Sequence, residues 1–234
     1  MRNDSGSLTR KILFLVEHLP YFTIENLQII DVPPYQLRIA LSRLKERGDI
    51  IRLKKGIYTS TKFVEGTRGG GMDTAFIEFI ATKIYAPSYL SLDYVLYESN
   101  VLTEVPVSFT LVTKNKTYTV HNNLGRFIYH KIKDTLFCGY QTVRKNGYIY
   151  YKGDKVKALF DFLYLRKNRI LNREMAEELR LNLEIFSKSE IRRLKHYVDQ
   201  EGSGKMKEIF RFLFQHAWIY QNIIKREGSG FSRF

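Results

Sequence analysis

Two adjacent segments concentrate polar and basic side chains that could bind a ligand. The first lies between Pro33 and Gly48, and its polar side chains off an apolar stripe are Tyr35, Gln36, Arg38, Ser42 and Arg43. The second supplies the basic side chains Arg52, Lys54 and Lys55. Arginine can donate two hydrogen bonds to guanine, and glutamine can pair in the same way with adenine. Tyrosine, serine and lysine more often contact phosphate or sugar, which gives affinity without sequence information. The set predicts a DNA-binding surface, although the solvated faces of an ordinary helix and hairpin carry the same residue types.

A helix and a hairpin must hold these side chains. The pair Pro33-Pro34 can open a helix, and Gly48 can end it. Its apolar positions at helical spacing are Leu37, Ala40, Leu41 and Leu44. Two β-type runs, 50–53 and 57–59, then flank Lys54-Lys55-Gly56, a turn typical of a hairpin.

Two further helices are predicted upstream, 8–19 capped by Ser7 and 24–30 capped by Thr23. Three helices followed by a hairpin within about 60 residues are the pattern of a winged helix-turn-helix. In that pattern the third helix is the recognition helix and the hairpin is the wing.

The composition indicates an anionic partner. The formal net charge is +14 and the pI is about 9.7, and a protein this basic usually meets a polyanion. Residues 1–63, 64–165 and 166–234 have net charges of +5, +3 and +6, so charge alone does not select the DNA-binding end. The single cysteine, Cys138, excludes an intramolecular disulfide and fits a reducing compartment. With neither a signal-type apolar region nor a run near 18 apolar residues, we expect a cytoplasmic protein that does not contact membrane.

A second domain is predicted after the glycine-rich run 65–71, which has the composition of a linker. Two helices come first, one at 74–85 capped by Asp73 and one from Ser91 to about Glu98. Five β-type runs follow, at 107–113, 117–121, 127–132, 137–143 and 148–151. The first two are expected to form a hairpin around Lys114-Asn115-Lys116, and Asn146-Gly147 is a strong turn signal between the last two. Helices are expected at 155–165, 172–181, 190–200 and 205–226, capped at the first three by Asp154, Asn172 and Ser189. The predicted class is α+β: a winged helix-turn-helix over residues 1–63, then a mixed α/β domain with C-terminal helices over residues 72–234.

Signals for an enzyme are weak, and we expect neither catalytic residues nor a cofactor or metal. The chain has no P-loop, GxGxxG, HExxH or GxSxG motif. Cys138 lies in an apolar run and is expected to be a core residue, and His121 and His130 have no third partner at metal-site spacing. Asp161 could be a polar anchor, but no second acid pairs with it. The many tyrosines of the β region could stack on RNA bases, but cross-strand packing explains them better.

The order of several short segments resembles the AbiEi-like family of type IV antitoxins, which are transcriptional regulators of bacterial abortive-infection systems. The matching segments cover about residues 8–166: RLKKGIY at 52–58, APSYLSL at 86–92 with DYVLYESNVL and Pro106 after it, a β run ending in Thr110 and Thr113, NLGRFIY at 123–129 and KVKALFD at 155–161. The entry to that last segment reads GDKVKAL, where the family tends to have a Pro-Glu-Lys-Ala-Leu type of sequence.

The resemblance implies two roles. The winged helix would bind inverted repeats in the promoter of its own operon and repress it. The second domain would counteract a nucleotidyltransferase-like toxin, without a stable complex between the two proteins. One alternative is a stand-alone regulator whose second domain senses a ligand or partner. Another is an RNA-modifying or nucleotidyl-transferring enzyme, which the missing pair of acids disfavours.

Overall fold

The computed structural model describes residues 4–67 and 73–214. It is an α+β protein with two sheets, one of three strands and one of six. None of the helices in these two ranges is long and apolar enough to cross a bilayer.

The N-terminal unit consists of helices packed on the smaller sheet. Its elements are α1 (Asp4–Val16), β1 (Phe22–Thr23), a 3₁₀ helix (Glu25–Ile30), α2 (Pro34–Glu46), β2 (Ile50–Lys54), β3 (Ile57–Ser60) and α3 (Thr61–Gly66). The strand order is β1-β3-β2, and both pairings are antiparallel. Pro34 is the first residue of α2, as expected from the fixed φ of proline. The predicted hairpin is confirmed, with Lys55 and Gly56 in the turn and Gly56 at φ +84°.

The caps predicted for the first two helices are wrong. Ser7 lies inside α1, because that helix already begins at Asp4. The segment after Thr23 is a 3₁₀ helix rather than an α-helix, and its start has no side-chain cap. The capping interaction runs the other way: Asn26 Oδ1 accepts hydrogen bonds from the backbone N–H of Thr23 at 2.8 Å and from its hydroxyl at 3.2 Å.

The larger sheet has the strand order β6-β7-β5-β4-β9-β8. Its strands are β4 (Ser88–Leu90), β5 (Phe109–Thr113), β6 (Tyr118–Asn122), β7 (Gly125–Lys131), β8 (Tyr140–Lys145) and β9 (Tyr148–Gly153). The run 86–91 was expected only to separate two helices, yet it contains β4, which lies between β5 and β9. The predicted turn at Asn146-Gly147 is confirmed between β8 and β9, with φ of +50° and +80°.

The predicted hairpin of β5 with β6 is wrong. β5 pairs in parallel with β7, and β6 pairs antiparallel with β7. The connection from β6 to β7 is only Asn123-Leu124, and Asn122 Oδ1 accepts the N–H of Leu124 at 2.8 Å, which closes an Asx turn. This shorter connection therefore forms the hairpin, and the Lys114–Lys116 region is a crossing loop.

Helices cover the larger sheet and close the chain. They are α4 (Thr74–Ile84), α5 (Leu92–Glu98), α6 (Lys155–Arg166), α7 (Arg173–Glu177), α8 (Lys188–Glu201) and α9, which is helical over residues 204–214. Asp73, Asp154 and Asn172 cap α4, α6 and α7 as expected. Ser187 rather than Ser189 caps α8, because Glu190 reciprocates in a capping box. The remainder of the helix predicted at 205–226 lies outside the described residues.

The buried apolar residues form two clusters. The smaller one joins α1, the 3₁₀ helix and α2 to the first sheet, and includes Ile12, Phe22, Leu27, Leu37, Leu41, Leu44 and Ile50. The larger one fills the second unit, but it also contains Leu53 and Val64 from the N-terminal unit. The helix α3 runs through residue 63, where the first domain was predicted to end, and residues 68–71 of the predicted linker lie outside the described ranges.

Candidate nucleic-acid interface

The outward face of α2 is set by its apolar stripe. Leu37, Ala40, Leu41 and Leu44 are at most 4% exposed, because they fill the smaller core. The opposite side of the helix therefore faces solvent, where Arg38 and Arg43 are exposed and Tyr35 is 59% exposed. A helix held from behind by apolar packing presents its polar side as a continuous surface.

The side chains on this face differ in how much the protein already engages them. Gln36 Nε2 donates to the Tyr35 hydroxyl at 3.2 Å. The Ser42 hydroxyl donates to Glu46 Oε1 at 3.2 Å. Neither Arg38 nor Arg43 has an ion pair or hydrogen bond from its guanidinium within the described part of the chain. Their donors are free for an external acceptor.

Sequence reasoning missed Ile39, which is 48% exposed on the same face. An apolar side chain there can contact the methyl group of thymine. The available signal was its position beside the apolar stripe, between residues assigned to polar contacts.

The three basic residues of the hairpin differ in their exposure. Arg52 and Lys55 are exposed, whereas Lys54 is partly buried against the second unit. Lys54 Nζ donates to the backbone carbonyl of Ile84 at 3.3 Å, and it lies 4.7 Å from the centre of the Tyr85 ring. Within the described ranges, Arg52 and Lys55 of the predicted wing have no protein partner, whereas Lys54 already has one.

Some other cations of the N-terminal unit are also paired. Arg47 lies 2.6 Å from Asp49, and Lys62 lies 2.6 Å from Glu17. The hydrogen bond from Lys62 lowers the pKa of Glu17. Among the described residues of the N-terminal unit, exposed cations without an ion pair therefore lie on α2 and the hairpin, and also on α1, where Arg10 and Lys11 are exposed.

The second unit holds two buried polar clusters. In the first, Asp161 accepts from Lys157 Nζ at 2.7 Å, from the Ser91 hydroxyl at 2.8 Å and from the Tyr89 hydroxyl at 2.9 Å. Lys157 Nζ also donates to the carbonyl of Leu136 at 2.9 Å. Burial raises the pKa of Tyr89, and the neighbouring Asp161 raises it further. Lys157 and Asp161 are fully buried, so this cluster joins β4 to α6 and is closed to a substrate.

The second polar cluster surrounds Glu78, which is 1% exposed. It accepts from the hydroxyls of Tyr94 at 3.1 Å and Tyr150 at 2.6 Å, and pairs with Lys152. Burial raises the pKa of both tyrosines, and the Glu78 charge adds to the shift. Asp161 is thus the polar anchor that the sequence suggested, but no sequence signal identified Glu78 or Lys157.

A groove of about 970 Å³ lies between α5, α6 and the segment that leads into β5. Its lining includes Ser108, whose buried hydroxyl oxygen has no hydrogen-bond partner in the described part of the chain. Burial and the nearby Arg166 guanidinium lower the pKa of His130, which also lines the groove.

Cys138, expected in the core, is only partly buried. Within residues 4–67 and 73–214, no group of three or more His, Cys, Asp or Glu side chains is placed to hold a metal ion.

No family model and no curated protein matches the chain.

Proposed function

We propose that the protein is a winged-helix DNA-binding regulator that represses its own operon. The observation that carries the proposal is the pair of exposed guanidinium groups of Arg38 and Arg43 on the outward face of α2, which have no partner among the residues that the structure describes. Lys55 and Arg52 extend the same positive charge to the hairpin. Base edges would be read by α2, and phosphates would be neutralised from the hairpin.

The test is binding of the purified full chain to duplex DNA from its own promoter region, followed by footprinting. We expect protection of an inverted repeat, with affinity that falls steeply as salt rises. The Arg38→Ala/Arg43→Ala variant should lose this protection. Its matched control is Arg192→Ala, which removes an exposed arginine from α8 in the second unit. Equal affinity for promoter and unrelated DNA would contradict the proposed repressor.

We propose further that the second unit carries antitoxin activity against a nucleotidyltransferase-like toxin. This part follows from the sequence resemblance. Co-expression of the Arg38→Ala/Arg43→Ala variant with a candidate nucleotidyltransferase-like toxin tests whether neutralisation is separate from DNA recognition. Rescue of growth by this variant would place neutralisation in the second unit, and loss of rescue would contradict that separation. The full-length variant is preferable to residues 72–234, because truncation would strip the N-terminal packing from α4.

The second candidate function is a stand-alone regulator with a ligand-sensing second unit. The unpartnered Ser108 hydroxyl in a groove of about 970 Å³ favours it. The same co-expression experiment distinguishes the two candidate functions, because a stand-alone regulator would leave the toxicity of the co-expressed toxin unchanged.

A further inference from the structure

The smaller sheet is covered on both faces. Phe22 and Ile50 on one face belong to the smaller core. On the other face, Leu53 is 1% exposed and belongs to the larger core, against which Ile51 and Ile57 also pack. The hairpin is therefore a packed layer between the two units, from which the side chains of Arg52 and of Lys55 in the turn are exposed.

Aromatic contacts continue this interface along α4. The rings of Phe63 and Phe76 lie 5.5 Å apart, and those of Tyr21 and Phe79 lie 5.9 Å apart. Apolar packing of this kind resists relative movement of the units, because interiors are close-packed.

A β-bulge turns Lys54 toward the second unit. The pairing register of β2 with β3 shifts between Arg52 and Lys54. Regular alternation would send Leu53 and Lys54 to opposite faces, but both contact the second unit. Bulges commonly re-aim a side chain in this way. The carbonyl of Leu53 accepts from Asn122 Nδ2 at 2.9 Å, which fixes the bulged backbone to β6.

The Lys54 ammonium lies against two neighbouring tyrosine rings, 4.7 Å from the centre of Tyr85 and 5.4 Å from that of Tyr118. We call these two rings the tyrosine cage. The rings are 5.1 Å apart, and the Tyr85 hydroxyl donates to the carbonyl of Lys116 at 3.1 Å. The cage is thus itself held by the second unit, and cation–π attraction adds to the hydrogen bond from Lys54 to Ile84.

We propose that Lys54 is a positioning residue: the tyrosine cage fixes the base of the hairpin turn, and thereby the place from which Lys55 reaches a phosphate. This inference rests on the proposed DNA binding. It assigns the second unit a part in that binding, although none of its side chains need touch DNA.

DNA binding by two single variants and their double variant tests the proposal. Lys54→Met keeps the apolar stem and removes the charge, whereas Tyr118→Leu removes a cage wall at a residue that is 42% exposed. We expect each single variant to weaken binding by roughly 2- to 30-fold, the range that corresponds to one cation–π interaction, and the double variant to be no weaker than the worse single one. A phosphate-contacting Lys54 would give a different result. Lys54→Met alone would then weaken binding, Tyr118→Leu would bind normally, and the proposal would be overturned.

Hydrogen exchange without DNA gives an independent readout. We expect both variants to speed exchange at the amides of β2 and β3 but not at those of α2, with Lys55→Met as the unchanged control. Unchanged exchange in both variants would overturn the cage. If both variants exchange faster but the wild-type protein binds no duplex, the proposed function is overturned, and Lys54 is an anchor of the hairpin only.

Discussion

The outward face of α2 and the β2–β3 hairpin carry the same kinds of basic side chain but hold them differently. Apolar residues anchor α2 from behind, so Arg38 and Arg43 extend into solvent without protein partners in the described chain. The hairpin packs against the second unit, and one of its lysines, Lys54, is bound there. The net charge of the chain therefore overstates the number of cations available to a polyanion. A cation that already has protein partners contributes less to a new contact.

Variants in the two regions should therefore have different consequences. A change on α2 should alter recognition and leave stability intact. A change on the inner face of the hairpin should alter stability first, and recognition only through the loss of a fixed hairpin.

The largest expected effect is a loss of stability in a variant on the inner face of the hairpin. Leu53→Ala should lower the free energy of unfolding by about 2–5 kcal/mol, the usual cost of a leucine cavity, because Leu53 is buried in the larger core. Urea unfolding followed by circular dichroism measures it. The neighbouring Arg52→Ala, at an exposed position, should stay within about 0.5 kcal/mol of wild type. Similar small changes in both variants would show that the hairpin is not packed on the second unit.

The next effect concerns α2. Arg38→Ala with Arg43→Ala should abolish preference for the operator, since each lost base contact costs about 1–3 kcal/mol. The free energy of unfolding should not change. Competition footprinting with operator and random duplexes checks the preference, and retained preference would remove α2 from its recognition role.

A smaller effect is expected at the hairpin turn. Lys55→Ala should weaken binding to operator and random DNA alike, because a phosphate contact carries no sequence information. The slope of log affinity against log salt should become shallower by about 0.9 for the one lost contact. Titrations at several salt concentrations measure this slope. A selective loss of operator binding would mean that the turn reads bases.

The smallest effect concerns the paired cation Lys62, which hydrogen bonds to Glu17 at 2.6 Å. This bond lowers the pKa of Glu17 below its ordinary value of 4.5. The pair therefore stabilises the fold above about pH 4.5, and the contribution is lost as the pH falls through the lowered pKa. In Lys62→Met, an NMR titration should show the Glu17 pKa returning toward its ordinary value, with a shallower loss of stability in acid. DNA binding should depend on Lys62 less than on Lys55.

Local signals in the sequence predicted much of the fold. The turn at Asn146-Gly147, the caps Asp73 and Asp154, and the helix after Pro33 all depend on residues close together in the chain. Turn and cap preferences arise from backbone geometry and nearby hydrogen bonds, so they can be recognised without knowledge of the tertiary structure.

Pairings between distant segments were not predictable in the same way. The parallel pair β5–β7 and the central position of β4 depend on contacts across the sheet. The buried charges of Glu78 and Lys157 also acquire partners only after the chain has folded. For the candidate site, the sequence predicted the helix and the hairpin that carry these side chains, and both are present. It could not show that a bulge and two distant tyrosines engage Lys54 and leave Lys55 free.

In the described residues, β6 and β8 are the two edge strands of the six-stranded sheet. An unpaired strand edge can recruit a strand from another molecule and start aggregation, and charged side chains oppose this. On β8, Arg144 and Lys145 are exposed and supply that protection. The end of β6 is protected differently, because the hairpin lies beside it and Asn122 is bonded to Leu53. The N-terminal unit thus also serves as a cover that keeps the larger sheet from extending into a neighbouring molecule.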